Sequence, residues 1–242
     1  MTDQTQYSWR AEATAGLVDI LPLLAAACPF ALLLGALAVQ NGLSPAEITL
    51  MSFTVYAGAS QFIAVDQWTV PVAIGLIVGT TALVNLRHVI MGAALAPYLS
   101  GFRPWQRWAF VSIHADETWA MAIRRGRSTT GLTPAYVGGM IIPFYLNWPF
   151  CTALGASLGN LVESPERYGI DFAFPAMFTV LIVGFWHGRR ETVVIAVSAA
   201  VAIAAKLLLP GVWYIFLGGI TGIVAGAMAW RPDGTDRSET PS

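Results

Sequence analysis

The chain has 242 residues, 56% of them hydrophobic and 11% charged, with 13 basic and 14 acidic side chains and a formal net charge of -1. A soluble domain carries roughly 25% charged residues; this chain lacks the polar cover that a water-exposed fold of its size needs, so lipid is the expected solvent. The near-neutral balance leaves no basic stripe, which excludes nucleic acid as a partner.

Residues 1–16 are polar, carry Asp3 and Glu12, and do not have the basic stretch and short apolar core of a cleaved signal peptide. Beyond them lie eight apolar runs, each close to the ~20 residues that cross a hydrocarbon core, at about 14–40, 46–66, 70–98, 105–123, 134–161, 170–186, 192–209 and 211–230. Helix-stopping stretches such as Asn41-Gly42-Leu43-Ser44-Pro45 and Gly101-Phe102-Arg103-Pro104 separate them. Trp68, Trp105, Trp108, Trp186, Trp213 and Trp230 fall near run ends, where an amphipathic ring prefers the headgroup level. The expected fold is all-α: a polytopic membrane protein of seven or eight helices, one transmembrane domain over 1–242, and a polar tail from 231 to 242.

The first run opens on Asp19 and carries Pro22, Cys28 and Pro29; the fifth carries Pro143, Asn147, Pro149 and Cys151. Proline removes a helical hydrogen bond and clashes with the preceding turn, so both runs are expected to kink or unwind. Backbone freed at membrane depth is tolerated where protein buries it or where it lines a watery cavity, making both runs candidate site walls. The two cysteines have no CxxC spacing and are read as small buried hydrophobes, with neither a metal nor a disulfide assigned.

The second run contains Ala57-Gly58-Ala59-Ser60-Gln61, small residues that permit close approach followed by two hydrogen-bonding groups. The third embeds Asn85-Leu86-Arg87-His88 in an apolar context, and the centre of the fourth holds His114, Asp116 and Glu117. An ionised carboxylate at a helix centre costs roughly 2.5–3.5 kcal/mol, so these groups need partners, protonation or a wet cavity. Arg87 stays protonated, and Asp116 or Glu117 is its economical partner. On a continuous helix His114 and Glu117 would share a face while Asp116 points elsewhere. His88 and His114 titrate near neutral pH and are candidate proton carriers. Asp171 opens the sixth run, and Lys206, near the end of the seventh, is expected to snorkel.

Arg124, Arg125 and Arg127 follow the fourth run, Arg189 and Arg190 the sixth, and Arg231 the eighth. With eight spans these loops, and Arg10, share the cytoplasmic side. Arg103 and Arg107 then fall on the wrong side. An offset of 120 aligns residues 28–45 with 148–165, matching Pro29/Pro149, Phe30/Phe150, Leu34/Leu154, Gly35/Gly155, Ala36/Ala156, Ser44/Ser164 and Pro45/Pro165. Such repeats are how many secondary transporters are built, with halves here at about 14–123 and 134–230. Eight spans make the halves parallel, and seven make them inverted.

Asp19-x-x-Pro22, Pro29-Phe30, Ala57-Gly58-Ala59-Ser60-Gln61-Phe62, Asn85-Leu86-Arg87-His88, Asp116-Glu117-Thr118 and Gly169-Ile170-Asp171-Phe172 together resemble the AzlC family, the large subunit of branched-chain amino acid exporters. The resemblance runs over most of the chain. It implies a multi-pass permease of a bacterial plasma membrane (the inner membrane in a Gram-negative cell) that exports branched-chain or related neutral amino acids beside a small AzlD-like membrane subunit, without a cofactor. Ala31, Met91 and His114-Ala115 depart from the family pattern and bear on the substrate more than on the fold.

An amino acid zwitterion needs one group for its carboxylate and another for its ammonium. Arg87, or the amides of a broken helix, would take the first; Asp116 or Glu117 would take the second or carry a coupled proton. Asn85, His88, Ser60, Gln61, His114, Asn147 and Asp171 complete the expected set. Proton antiport is the expected energy source, since ~2.3 kcal/mol per charge is available per 100 mV, and no nucleotide-binding motif is present. The alternatives are a carrier of another small polar metabolite, a scaffold subunit, and a membrane-embedded acid/base enzyme built on Asp116, Glu117 and His114. The enzyme reading finds no nucleophile motif and no HExxH-type metal pattern in the sequence.

Overall fold

The computed structural model describes residues 8–68, 71–128, 130–159, 179, 182–183, 186, 188–209 and 213–229. Asp171, the acidic stretch 163–171, most of the sixth run and the tail 231–242 lie outside them. Every regular element among the described residues is helical: α1 (Trp9–Gln40), α2 (Pro45–Thr54), α3 (Gly58–Asp66), α4 (Ile74–Leu95) running into a 3-10 turn (Ala96–Leu99), α5 (Pro104–Ile113), α6 (Asp116–Gly126), α7 (Pro134–Leu158), α8 (Arg189–Leu208) and α9 (Trp213–Ala229). α1, α4 with its 3-10 turn, α7 and α8 are long and apolar enough to cross a membrane, and α9 is a shorter apolar helix. Large apolar side chains such as Trp108, Val89 and Leu207 point outward, as lipid rather than water requires. The chain forms two compact units, Met1–Asp171 and Phe172–Ser242.

In the first unit α1 and α7 form the central pair and run parallel. Up the pair, Glu12 meets Thr133, Leu24 meets Asn147 and Cys28 meets Cys151. Without a hydrophobic drive between helices in lipid, close backbone approach supplies the attraction. Gly35 lies against the Thr152 carbonyl and Gly155 against that of Leu32, so a Cβ at either would strike the partner's backbone. These are the two glycines that the 120-residue offset aligns, and their contacts are reciprocal. Gly16 and Gly139 repeat the arrangement lower down, against Tyr136 and Ala13. Both proline-bearing helices stay continuous through Pro22, Pro29, Pro143 and Pro149, so the expected unwinding does not occur. One side-chain tie near Pro29 is Asn147 Nδ2, which donates to the Leu24 carbonyl at 3.3 Å. The cysteine thiols are free and face each other at 2.8 Å between sulfurs.

The interruptions fall instead in the second and fourth runs, at Val55-Tyr56-Ala57 and at His114-Ala115. Each of these runs folds back on itself and does not cross. Gln61 Nε2 donates to Ser52 Oγ at 2.9 Å across the first break. In a straight helix those residues would be separated by about 13 Å of rise, beyond that reach. α2 descends along α7 to Phe53, whose carbonyl accepts the Tyr145 hydroxyl at 2.8 Å and whose ring lies 6.2 Å from that of Tyr145, whereas α3 climbs back along α4, pairing Ser60 with Asn85 and Gln67 with Thr80. α5 and α6 form the second hairpin. Val111 of α5 lies near Gly92, while α6 tracks α4 in the other direction from its tip, with Asp116 at Arg87, Trp119 at Met91 and Gly126 under the Tyr98 ring.

Local sequence explains where these arms begin. Ser44 and Glu47 cap α2 reciprocally, with Pro45 in its first turn. Pro104 starts α5, and Gln106 Oε1 accepts the Arg103 amide at 2.9 Å. At the far end of α6, Arg125 pairs with buried Glu12 at 2.8 Å, Thr133 donates to the same carboxylate at 2.7 Å, and the guanidinium sits 4.7 Å from the Tyr136 ring centre. This network anchors α6 to the start of α1 and α7. α2 and α3 therefore enter from the end where α1 finishes, and α5 and α6 from the end where it starts.

The two hairpins correct the expected course of the second and fourth runs and account for the misplaced arginines. With neither run crossing, Arg103 and Arg107 share an end with Arg10, Arg124, Arg125 and Arg127. Arg107 is also engaged there, donating to the Phe102 and Ser100 carbonyls at 2.9 and 2.6 Å. In the second unit α8 packs on α9 through Gly218 against Ala202, and Ser198 Oγ donates to the Gly218 carbonyl at 2.7 Å. The Lys206 ammonium lies 4.7 Å from the Tyr214 ring centre.

Candidate functional site

The tips of the two hairpins meet α4 at one level. From one side α3 begins, its N-cap Ala57 offering no side-chain cap to the first amides. From the other α6 begins, with Thr118 Oγ1 accepting the Ala115 amide at 2.8 Å. Both half-helices present their N-terminal, electropositive ends to the meeting point, the device by which broken helices in transporters meet substrate anions.

Between the tips runs Asn85-Leu86-Arg87-His88. Ser60 Oγ donates to Asn85 Oδ1 at 2.6 Å, and Arg87 Nη1 pairs with Asp116 Oδ2 at 2.8 Å. One turn of α4 thus ties both hairpins. The pair is incompletely buried, with side-chain exposures of 32% for Arg87 and 19% for Asp116, and Arg87 Nε is buried without a partner. Glu117, next in the chain, belongs to neither of the ion pairs found among the described residues. Asp116 is occupied, so Glu117 is the carboxylate left for another cation.

The two histidines stack edge to face, ring centres 5.1 Å apart. His114 Nδ1 lies 2.8 Å from the Val111 carbonyl and His88 Nδ1 3.3 Å from that of Asn85. A carbonyl only accepts, so each Nδ1 carries the hydrogen and, in the neutral ring, each Nε2 is an open lone pair. His114 is 2% exposed and its Nε2 has no partner. The expectation that His114 and Glu117 share a helical face is overturned, because His114 sits at the break in extended conformation.

Gln61 lies one position beyond Ser60, holding Ser52 through Nε2 and accepting the Trp148 indole N–H through Oε1 at 2.8 Å. A cavity of about 360 Å³ opens beside it, lined by Met51, Val55, Ser60, Gln61, Ile77 and other small or apolar residues. Asn147 stands apart as a tie between α1 and α7 and borders a separate groove of about 560 Å³ with Leu24 and Phe53. The structure thus brings together Ser60, Asn85, Arg87, His88, His114, Asp116 and Glu117, places Gln61 beside them, and removes Asn147; Asp171 is outside the described residues. No group of three or more His, Cys, Asp or Glu able to hold a metal occurs among the described residues.

Sequence reasoning missed Tyr56 and Trp148. An indole N–H in mid-run needs a buried acceptor, so the position of Trp148, away from any run end, was the available signal. Tyr56 gave none, because its distinction is conformational.

A family model described as "AzlC protein" matches residues 22–162, the segment that holds both hairpins, α4 and α7. The chain is 29% identical over 197 residues to an "Uncharacterized membrane protein" of Archaeoglobus fulgidus, covering 80% of this chain and 84% of that protein. It is 26% identical over 220 residues to the "Inner membrane protein YgaZ" of Escherichia coli, covering 88% and 87%. A third relative, from Haemophilus influenzae, is 21% identical over 178 residues, with 72% and 71% covered. No solved structure matches. With the match extending over more than half its length, and with the paired hairpins that the match encloses, this chain is a multi-pass membrane protein of the AzlC family.

Proposed function

We propose that the chain exports branched-chain or related neutral amino acids across a bacterial plasma membrane, with the arginine-rich end cytoplasmic and proton antiport as the energy source. The observation that carries the reading is the division of charge where the hairpin tips meet. Arg87 is held by Asp116, Glu117 has no ion-pair partner among the described residues, and two half-helix N-termini converge there. An amino acid presents the complementary charges: its carboxylate suits Arg87 or the uncapped amides of α3, and its ammonium suits Glu117. The apolar cavity next to Ser60 and Gln61 has the chemistry for a branched side chain. His114 Nε2, open and buried beside the ion pair, is the natural acceptor for a coupled proton. The substrate class and a small AzlD-like partner subunit are what the sequence resemblance to branched-chain amino acid exporters implies.

The test is efflux of labelled leucine, isoleucine and valine from cells expressing the chain with and without a neighbouring small membrane protein. Wild type is expected to lower the intracellular pool, while Arg87→Ala and Glu117→Gln, at matched membrane abundance, are expected to abolish export. Unchanged efflux in both variants would overturn the site, and no amino acid efflux by wild type under either condition would overturn the substrate class.

A further inference from the structure

Tyr56 sits at the tip of the first hairpin with φ of 44°, the one non-glycine residue at positive φ among the described residues. For a bulky side chain that conformation costs on the order of 1–3 kcal/mol, and it persists where surrounding structure over-determines it, often at ligand clamps. The clamp is visible. The Tyr145 ring lies 4.7 Å from that of Tyr56, and its own hydroxyl is fixed on the Phe53 carbonyl at 2.8 Å, a carbonyl near the end of α2 beside the break. Tyr56 is 7% exposed, yet its hydroxyl is buried with no hydrogen-bond partner. A buried hydroxyl left unpaired costs roughly 1–3 kcal/mol.

Two independent costs, one of backbone and one of desolvation, thus converge on one residue. Packing alone explains neither, because phenylalanine would fill the same space without an orphaned oxygen. The two tips meet on neighbouring residues of α4, Ser60 on Asn85 and Asp116 on Arg87, and Glu117, beside Asp116 on α6, is an acidic group whose charge acts on the Tyr56 hydroxyl. A hydroxyl lone pair and a carboxylate with no ion-pair partner among the described residues, offered from opposite hairpins, form a site for a group that carries several N–H donors and a positive charge. A primary ammonium meets that description; a carboxylate or a neutral alcohol does not.

We infer that Tyr56 and Glu117 together form the ammonium subsite, with the Tyr56 hydroxyl accepting one N–H from a protonated α-amino group and the Glu117 carboxylate neutralising it. This deepens, and rests on, the amino acid reading above. It adds a residue that the charge pattern of the sequence could not supply, and it separates the roles of the neighbouring carboxylates: Asp116 positions Arg87, and Glu117 meets substrate.

Equilibrium binding by the purified full chain, alone and with any co-purifying membrane subunit, tests the assignment using labelled leucine, isoleucine and valine as probes. Tyr56→Phe, which keeps the ring and its packing on Tyr145, is expected to weaken binding about tenfold or more, the effect of losing a hydrogen bond to a charged group. Glu117→Gln is expected to weaken it further, and Tyr56→Phe added to Glu117→Gln to cause less than the product of the two losses, since both act on one ammonium. The N-acetylated amino acid, which has no ammonium, is expected to bind weakly to wild type and to lose nothing more in Tyr56→Phe. Wild-type affinity in Tyr56→Phe, or losses that multiply independently, would overturn the subsite while leaving the amino acid reading standing. No amino acid binding or efflux by wild type would overturn both.

Discussion

The Arg87–Asp116 pair decides how single substitutions at the site will behave. Removing one partner of a fully buried pair costs about 3–5 kcal/mol because the survivor is stranded. Here the side chains are 32% and 19% exposed, so solvent recovers part of that loss. Arg87→Ala is therefore expected to lower thermal stability moderately, and Arg87→Ala combined with Asp116→Ala to restore most of it while transport stays absent. Melting curves of the purified variants beside their efflux separate the two effects. Recovery of transport in the double variant would mean that the pair is only structural. Arg87→Lys keeps the charge but gives up the planar fork that serves Asp116 and leaves Nε free for a ligand, and it is expected to fold normally and export poorly.

At the scale of elements, the α1–α7 seam and the two breaks show what a sequence can and cannot carry. Gly35 lies directly on the Thr152 carbonyl, whereas Gly79 in α4 has open space where a Cβ would go. Alanine in a helix interior gains up to about 1 kcal/mol over glycine, but overpacking against backbone costs about 1–3 kcal/mol. Gly79→Ala should be neutral or stabilising, Gly35→Ala and Gly155→Ala destabilising, as read by melting temperature; equal behaviour at the three sites would dismiss the seam. Its register has a second check. Mild oxidation is expected to link Cys28 to Cys151, joining the fragments on either side of a protease cut between α1 and α7.

The sequence revealed the charged residues of α4 and α6, because ionisable groups inside apolar runs stand out, and it revealed the glycine pair through the repeat. The hairpins were hidden by length. Residues 45–66 and 104–126 are each about as long as one crossing helix, and hydropathy does not distinguish one helix of that length from two arms of half the length. The prolines drew attention to α1 and α7, but those helices pack against each other along their length and stay intact. The breaks came instead at Val55-Tyr56-Ala57 and His114-Ala115, where neither proline nor composition marks an interruption. Arg103 and Arg107 carried the one legible sign, since they disobeyed the orientation rule as long as both runs were counted as crossings.

For the molecule as a whole, the central claim is that two hairpins enter from opposite faces and meet on α4 at Arg87. Sidedness measures this directly. In a Cys28→Ser, Cys151→Ser background, single cysteines at Asn41, Val72, Gly101 and Thr130 would be labelled in intact cells by a membrane-impermeant maleimide. The account predicts labelling at Asn41 and Val72, flanking the first hairpin, and protection at Gly101 and Thr130, flanking the second, until the membrane is permeabilised. Asn41 and Val72 on opposite sides, or Gly101 and Thr130 on opposite sides, would make the corresponding run a crossing helix and contradict the site.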